Sequence, residues 1–195
     1  VYCYNNVRAY RTDVQAVCDL LIFNSKDSCM TMYRDPIVWT GNRQLLGDSI
    51  KAYMNDSTVR EAYVLGNALG IELMFDGKHY NQISSKEMRA YFTDGKLRRN
   101  EAIGNVLSLY YIMEEKDSSL LYLNYMECDT MRMYISAERK TEKIWGASPN
   151  AMMYPLTQVP PGKDRLSGFA WYDYVRPKDK HDLYRRVRKG EENKQ

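Results

Sequence analysis

The chain has 195 residues, enough to bury a core of its own, and one domain is the default at this length. Its net charge of +3 is unevenly placed: from Arg176 onward 8 Lys/Arg stand against 4 Asp/Glu, so the body is near neutral and gives nucleic-acid binding no support. No run approaches the roughly 18 apolar residues of a membrane-spanning helix, while 17 tyrosines suit half-buried strands.

The chain opens at Val1 without a secretory leader pattern, as a mature protein or an excised segment would. Asn6-Val7-Arg8-Ala9-Tyr10 reads as the end of a repeat unit whose later copies are clearer. In the next unit Cys18-Asp19-Leu20-Leu21 corresponds to Gly47-Asp48-Ser49-Ile50. Residues 24–27 form a polar turn between strands, as residues 55–57 and 93–95 do further on. Pairing about the first turn places Cys18 opposite Tyr33 and Cys29 opposite Ile22, so these thiols are not expected to bridge. Asp35-Pro36 takes the place of the later Gly66-Asn67.

The clearest unit is written twice. Ile50-Lys51-Ala52-Tyr53-Met54 returns 38 residues later as Met88-Arg89-Ala90-Tyr91-Phe92, and Gly66-Asn67-Ala68 returns as Gly104-Asn105-Val106. A fixed period of this length marks units that cannot bury an apolar face alone and therefore stack. Ile50, Ala52 and Met54 alternate with Lys51 and Tyr53, as Met88, Ala90 and Phe92 do with Arg89 and Tyr91. That period of two predicts strands with one buried face. Gly66-Asn67 sits inside one long extended run, 59–75, where glycine marks a bend and asparagine tolerates positive φ. We read Gly66, Asn67, Gly104 and Asn105 as structural corners, where a strand passes from one wall to another.

A weaker unit begins at Cys128-Asp129, with Met131, Met133 and Ile135 inward and Arg132 and Tyr134 outward. The repeat domain is expected to span 1–146. Pro149, Pro155, Pro160 and Pro161 cannot donate to a sheet, so residues 147–177 are expected to cap the same domain, packed down by Phe169, Trp171, Tyr172 and Tyr174. Residues 178–195 read as a charged flexible tail.

Chemistry-bearing motifs are sparse. His79 and His181 fall in no ligand or triad spacing, and Glu114-Glu115 beside Lys116-Asp117 reads as a solvated turn. Cys3, Cys18, Cys29 and Cys128 are expected as free thiols. No catalytic residue, metal-ligand set or cofactor is assigned, and no enzyme activity is expected. The candidate site is instead the inward face: Leu21, Phe23, Ile50, Met54, Met88, Phe92, Met131, Met133 and Ile135. Methionine serves equally as ordinary core and as an adaptable lining for an apolar ligand. Pattern alone leaves both open.

Units of the form (Ala/Gly/Cys)-Asp-x-(Leu/Ile) closing on Gly-Asn-(Val/Ala) resemble the OstA-like proteins, relatives of the periplasmic bridge of lipopolysaccharide transport. Cys18-Asp19-Leu20-Leu21, Gly47-Asp48-Ser49-Ile50, Gly66-Asn67 and Gly104-Asn105-Val106 carry the resemblance, with Leu166, Phe169 and Trp171 before Arg176-Pro177 similar to the end of such chains. The resemblance implies an all-β fold, a repeat-built antiparallel β-jelly-roll (β-taco) of stacked V-shaped strands. It also implies a periplasmic, outer-membrane-associated protein that binds lipopolysaccharide through its lipid A acyl chains. Its further partners would be other transport-bridge proteins through edge strands, and copies of itself end to end. The rival reading is a structural adaptor whose repeats present edges for assembly around a filled core.

Overall fold

The computed structural model describes residues 1–56, 58–114, 119–138, 141–185, 187 and 189–190. It is all-β. The strands are β1 (Tyr2–Arg11), β2 (Val14–Asn24), β3 (Cys29–Tyr33), β4 (Ile37–Thr40), β5 (Arg43–Leu46), β6 (Ser49–Asn55), β7 (Thr58–Leu73), β8 (Tyr80–Thr93), β9 (Lys96–Met113), β10 (Leu120–Ile135), β11 (Thr141–Ala147) and β12 (Asn150–Pro155). Pairing is antiparallel throughout.

The strands stack as a meander of V-shaped layers. β2 pairs β4 through Gln15, Ala16 and Val17, then pairs β3 through residues 20–24, so its halves belong to different walls. β7 likewise pairs β6 with residues 58–65 and β5 with residues 69–72. Wall one therefore contains β4, β5, β12 and one arm of each long strand, and wall two contains β3, β6, β11 and the other arm. The apolar side chains between the arms form one cluster, with Met32, Ile50, Met88 and Met131 from wall two against Val38, Leu45, Ile83 and Met126 from wall one. Burial of each large side chain contributes about 1.5–3 kcal/mol, which holds the V shut along its base.

Each bend has a local cause. Ladder register shifts between Leu65 and Ala68, where Gly66 and Asn67 take φ of +71° and +45°. Gly104 and Asn105 repeat this at +80° and +51°, and Asn5 and Asn6 do so in β1 at 62° and 50°. Consecutive left-handed residues reverse the pleat and turn the chain, which an ordinary L side chain resists. At the break between β3 and β4 the left-handed pair is Arg34 and Asp35, each at +59°. This lies one residue ahead of the expected Asp35-Pro36, because the proline ring holds φ negative.

The stack also runs further than the sequence suggests. β11 pairs residues 130–135 of β10 and β12 pairs residues 122–127, adding a layer beyond Gly146. Pro155 is tolerated because β12 is an end strand. The first turn is displaced by one residue from the expected 24–27: Tyr33 pairs Leu20 and Cys29 pairs Asn24, which leaves 25–28 as the loop. Asn24 closes that turn by accepting from the Lys26 amide at 3.0 Å and donating to Asp27 at 2.8 Å.

Residues 156–177 cross the outer face of wall one. Leu166, Phe169 and Trp171 pack on Ile71, Leu109, Tyr111 and Leu123, while Val175, Tyr172 and Tyr174 pack on Ile37 and Trp39. The segment from 178, read as a flexible tail, is docked in its described part. The Lys178 amide donates to Asp182 at 3.0 Å, Asn6 donates to the Arg185 carbonyl at 3.4 Å, and Lys189 reaches Asp35 at 3.3 Å. Its charges find partners in β1 and the corners, which a composition count does not reveal.

Candidate functional site: the apolar face between the walls

Register lines the interior up layer by layer. Leu21 pairs Met32, then Ile50, Val64, Met88, Ala102 and Met131 follow in one row across wall two. Met32 and Ile50 are 3%, Met88 5% and Met131 4% exposed. A second row, further from the corners, runs through Phe23, Met30, Ala52, Ala62, Ala90, Asn100, Met133 and Ile144. Alternation puts Met54, Phe92 and Ile135 beyond that row, next to bulges at the hairpin tips, and all three are half-buried. The candidate residues are thus divided by depth: Ile50, Met88 and Met131 form a packed base, and Phe23, Met54, Phe92, Met133 and Ile135 stand nearer the mouth.

The opposing surface is absent from the sequence reading. Ala16, Val38, Leu45, Ile83 and Met126 face the row from wall one, with Cys18, Ala68, Val106 and Cys128 at the corners. At the base the two walls touch: a side chain begun at Gly70 on wall one would meet Met88 Sδ at 3.9 Å.

The two outer faces differ in kind. On wall two, Arg89 lies 5.6 Å from the Tyr63 ring centre, Arg99 4.1 Å from Tyr91 and Arg132 5.1 Å from Trp145. Carboxylates interleave, with Glu87 on Arg89 at 2.6 Å and Glu101 on Arg132 at 3.1 Å. Tyr63 donates to Glu61, and this bond pushes its pKa up to about 12. Wall one instead carries Gln15, Gln44 and Gln82, each at most 4% exposed. Gln44 accepts from the Tyr172 amide and donates to the Ala170 carbonyl, at 2.8 and 2.7 Å. Gln82 does the same with Leu166 and Asp164, both at 2.8 Å, and Gln15 accepts from Arg176 at 2.6 and 2.8 Å.

Cavities of about 350 and 240 Å³ lie against the C-terminal segment, beside Arg176 and Lys178 and beside Lys163 and Arg165. Both are outside the V. Among the described residues the stack is unpaired at its ends, and large apolar groups are exposed there: Tyr2 64% and Tyr4 61% on β1, Ile144 53% and Trp145 41% on β11, Met153 57% on β12.

The remaining candidates stay apart from this face. His79 bonds Asp76 at 2.5 Å within a turn, and His181 is exposed in the C-terminal segment. Glu114 closes a turn to Ser119 at 2.8 Å, while Glu115, Lys116 and Asp117 lie outside the described residues. Among the described residues no group of His, Cys, Asp and Glu could hold a metal ion.

A meander of V-shaped layers, apolar between its arms and, among the described residues, unpaired at both ends, is a stacked β-jelly-roll. Among solved structures it is similar to LptH, the LptA-homologous periplasmic component of the lipopolysaccharide transport device of Pseudomonas aeruginosa. The two align with a TM-score of 0.50 at 12% identity, over 72% of this chain and 92% of that one. The likeness is one of fold. No family model and no curated protein matches the sequence.

Proposed function

We propose that this chain is a non-enzymatic, periplasmic module of lipopolysaccharide transport that shelters acyl chains between its walls. The observation that carries the reading is the in-register apolar row across wall two, continuous through every layer and ending at unpaired edges. That row forms a continuous apolar floor, and each CH₂ sheltered above it contributes about 0.8 kcal/mol. Methionine supplies the adaptability that chains of differing length require. The unpaired ends are templates for other bridge proteins or for a second copy. The similarity to LptH supports the same reading through fold.

The packed base divides labour within the V. Met88 touches wall one, so acyl chains enter above it, beside Phe92, Met54 and Met133. One observation favours the adaptor reading instead: the two walls pack against each other at the base, Met88 lying in one buried cluster with Val38, Leu45 and Ile83. A photo-crosslinking residue at Phe92 or Met133 separates the two. Crosslinks to lipopolysaccharide in cells, absent at outward Arg89 and Tyr91, are expected; a folded protein with no lipid crosslink at either mouth position would leave the adaptor reading standing.

A further inference from the structure

An arginine is buried at the N-terminal end of the stack, away from the apolar interior. The Arg8 side chain on β1 is 1% exposed. Its Nε donates to the Asp182 carbonyl at 3.2 Å, and its Nη2 stands 3.7 Å from the Asp182 carboxylate, beyond hydrogen-bonding reach. Among the described residues Nη1 and Nη2 have no acceptor. Arg185 is in a similar state: its Nε has no acceptor, at 3.3 Å from the other Asp182 oxygen, while its Nη2 donates to the Tyr174 carbonyl. One carboxylate therefore faces two guanidinium groups. Burial weighs against the charge on Arg8, Asp182 supports it, and Arg185 opposes it again.

Buried charged donors without acceptors are costly, and a residual positive charge makes them more so. A bound oxyanion would supply the missing acceptors and the missing charge together. Guanidinium forks match phosphate oxygens in geometry.

We propose that Arg8 and Arg185 hold a phosphate-type oxyanion beside Asp182, and that this anion fastens the C-terminal segment to β1. The group is supplied either by a soluble phosphate or by an anionic lipid headgroup. The proposal is independent of whether acyl chains occupy the V.

The test uses the full chain with inorganic phosphate at constant ionic strength, chloride making up the balance. Phosphate should raise Tm saturably and slow amide exchange at 181–185; Arg8→Gln should abolish both effects. Asp182→Asn, which removes the competing carboxylate, should tighten phosphate binding several-fold. If Arg8→Gln does not fold, the more exposed Arg185→Gln carries the same test. Vesicles of phosphatidylglycerol, with phosphatidylcholine as control, distinguish the sources. Binding to phosphatidylglycerol that Arg185→Gln abolishes assigns a headgroup; a phosphate effect without vesicle binding assigns a soluble anion. No phosphate effect in the unsubstituted protein, or an equal effect in both arginine variants, overturns the proposal.

Discussion

Asn67 donates from Nδ2 to both carboxylate oxygens of Asp48, at 3.1 and 3.2 Å, and so ties the corner of β7 to the break between β5 and β6. The Asp48 amide returns the contact, donating to the Leu65 and Gly66 carbonyls at 3.1 and 2.9 Å. Asp19 makes the matching link in the first layers, where it accepts from the Asn6 amide at 3.1 Å. Adjacent corners are thus joined by an aspartate that reaches across one layer, and the Asp of the repeated motif has a structural task.

That link predicts the cost of changing Gly66. A Cβ there would meet Asp48 Oδ2 at 2.2 Å, on a backbone already at φ +71°. Gly66→Ala is expected to cost the roughly 1–2 kcal/mol of left-handed strain plus the lost Asp48–Asn67 contact. In an Asp48→Ala background the carboxylate clash is gone and the strain remains with a Cβ contact at 3.0 Å, so the two changes will be less than additive in urea denaturation. At Gly104 the nearest atom is Lys86 Cδ at 2.9 Å, and that chain can swing aside, so Gly104→Ala should cost less than Gly66→Ala. Equal costs at the two corners, or strict additivity with Asp48→Ala, would remove the carboxylate from the explanation.

Depth in the V predicts a second contrast. Met88 lies in register between Val64 and Ala102 and is nearly inaccessible. Met88→Ala should cost about 2–5 kcal/mol, the range for emptying a packed site. Phe92, half-buried beside a bulge, should cost clearly less on truncation despite its larger ring. If lipid binding resides at the mouth, Phe92→Ala will reduce co-purifying lipid in native mass spectrometry more than it reduces stability. Met88→Ala will do the reverse.

Wall two was legible in the sequence because only one of its faces is apolar. Tyr53, Arg89 and Tyr91, half-buried, and exposed Arg132 form a solvent-facing ladder, so residues 50–54, 88–92 and 131–135 alternate cleanly in polarity. Wall one is buried on both faces, and Ala68, Leu69, Gly70 and Ile71 are consecutive core residues, which erases the period. Its inner residues Val38, Leu45 and Met126 consequently went unassigned. The glutamines beneath the C-terminal segment were hidden for another reason. Gln44 and Gln82 meet main-chain partners, and Gln15 the Arg176 side chain, all more than 80 positions away, so no local pattern marks them.

Those glutamines give a third prediction. Gln82 makes a paired contact with the buried Leu166 amide and the part-buried Asp164 carbonyl. Gln82→Leu keeps the bulk but strands the buried Leu166 amide, at about 1–3 kcal/mol before relaxation, and frees the part-buried Asp164 carbonyl to water at smaller cost. Hydrogen exchange should accelerate at Leu166 and Phe169 and stay unchanged at Ala52 and Ala90 on wall two. Acceleration throughout both walls would mean that the segment is part of one cooperative unit with the V instead of a separable cover.

The last prediction concerns the thiol at the first corner. Burial raises the Cys18 pKa from 9.0 to about 11, the Leu20 backbone hydrogen bond offsets part of this, and the Asp19 charge adds to it. The neutral thiol is therefore the form the fold prefers. Because the folded value lies above the unfolded one, its contribution to stability is complete below about pH 9 and is lost as pH rises towards 11. At pH 8 the native thiol should react with iodoacetamide far more slowly than in denaturant, where its thiolate fraction and exposure both rise. Cys3, half-buried on β1, pairs Leu21 in the neighbouring strand and serves as the internal comparison. Mass spectrometry of labelled peptides should show Cys3 modified first and Cys18 only after the corner opens. Cys18 labelling as fast as Cys3 in the folded protein would show that the base of the V admits solvent, and the packed row beginning at that corner would have to be abandoned.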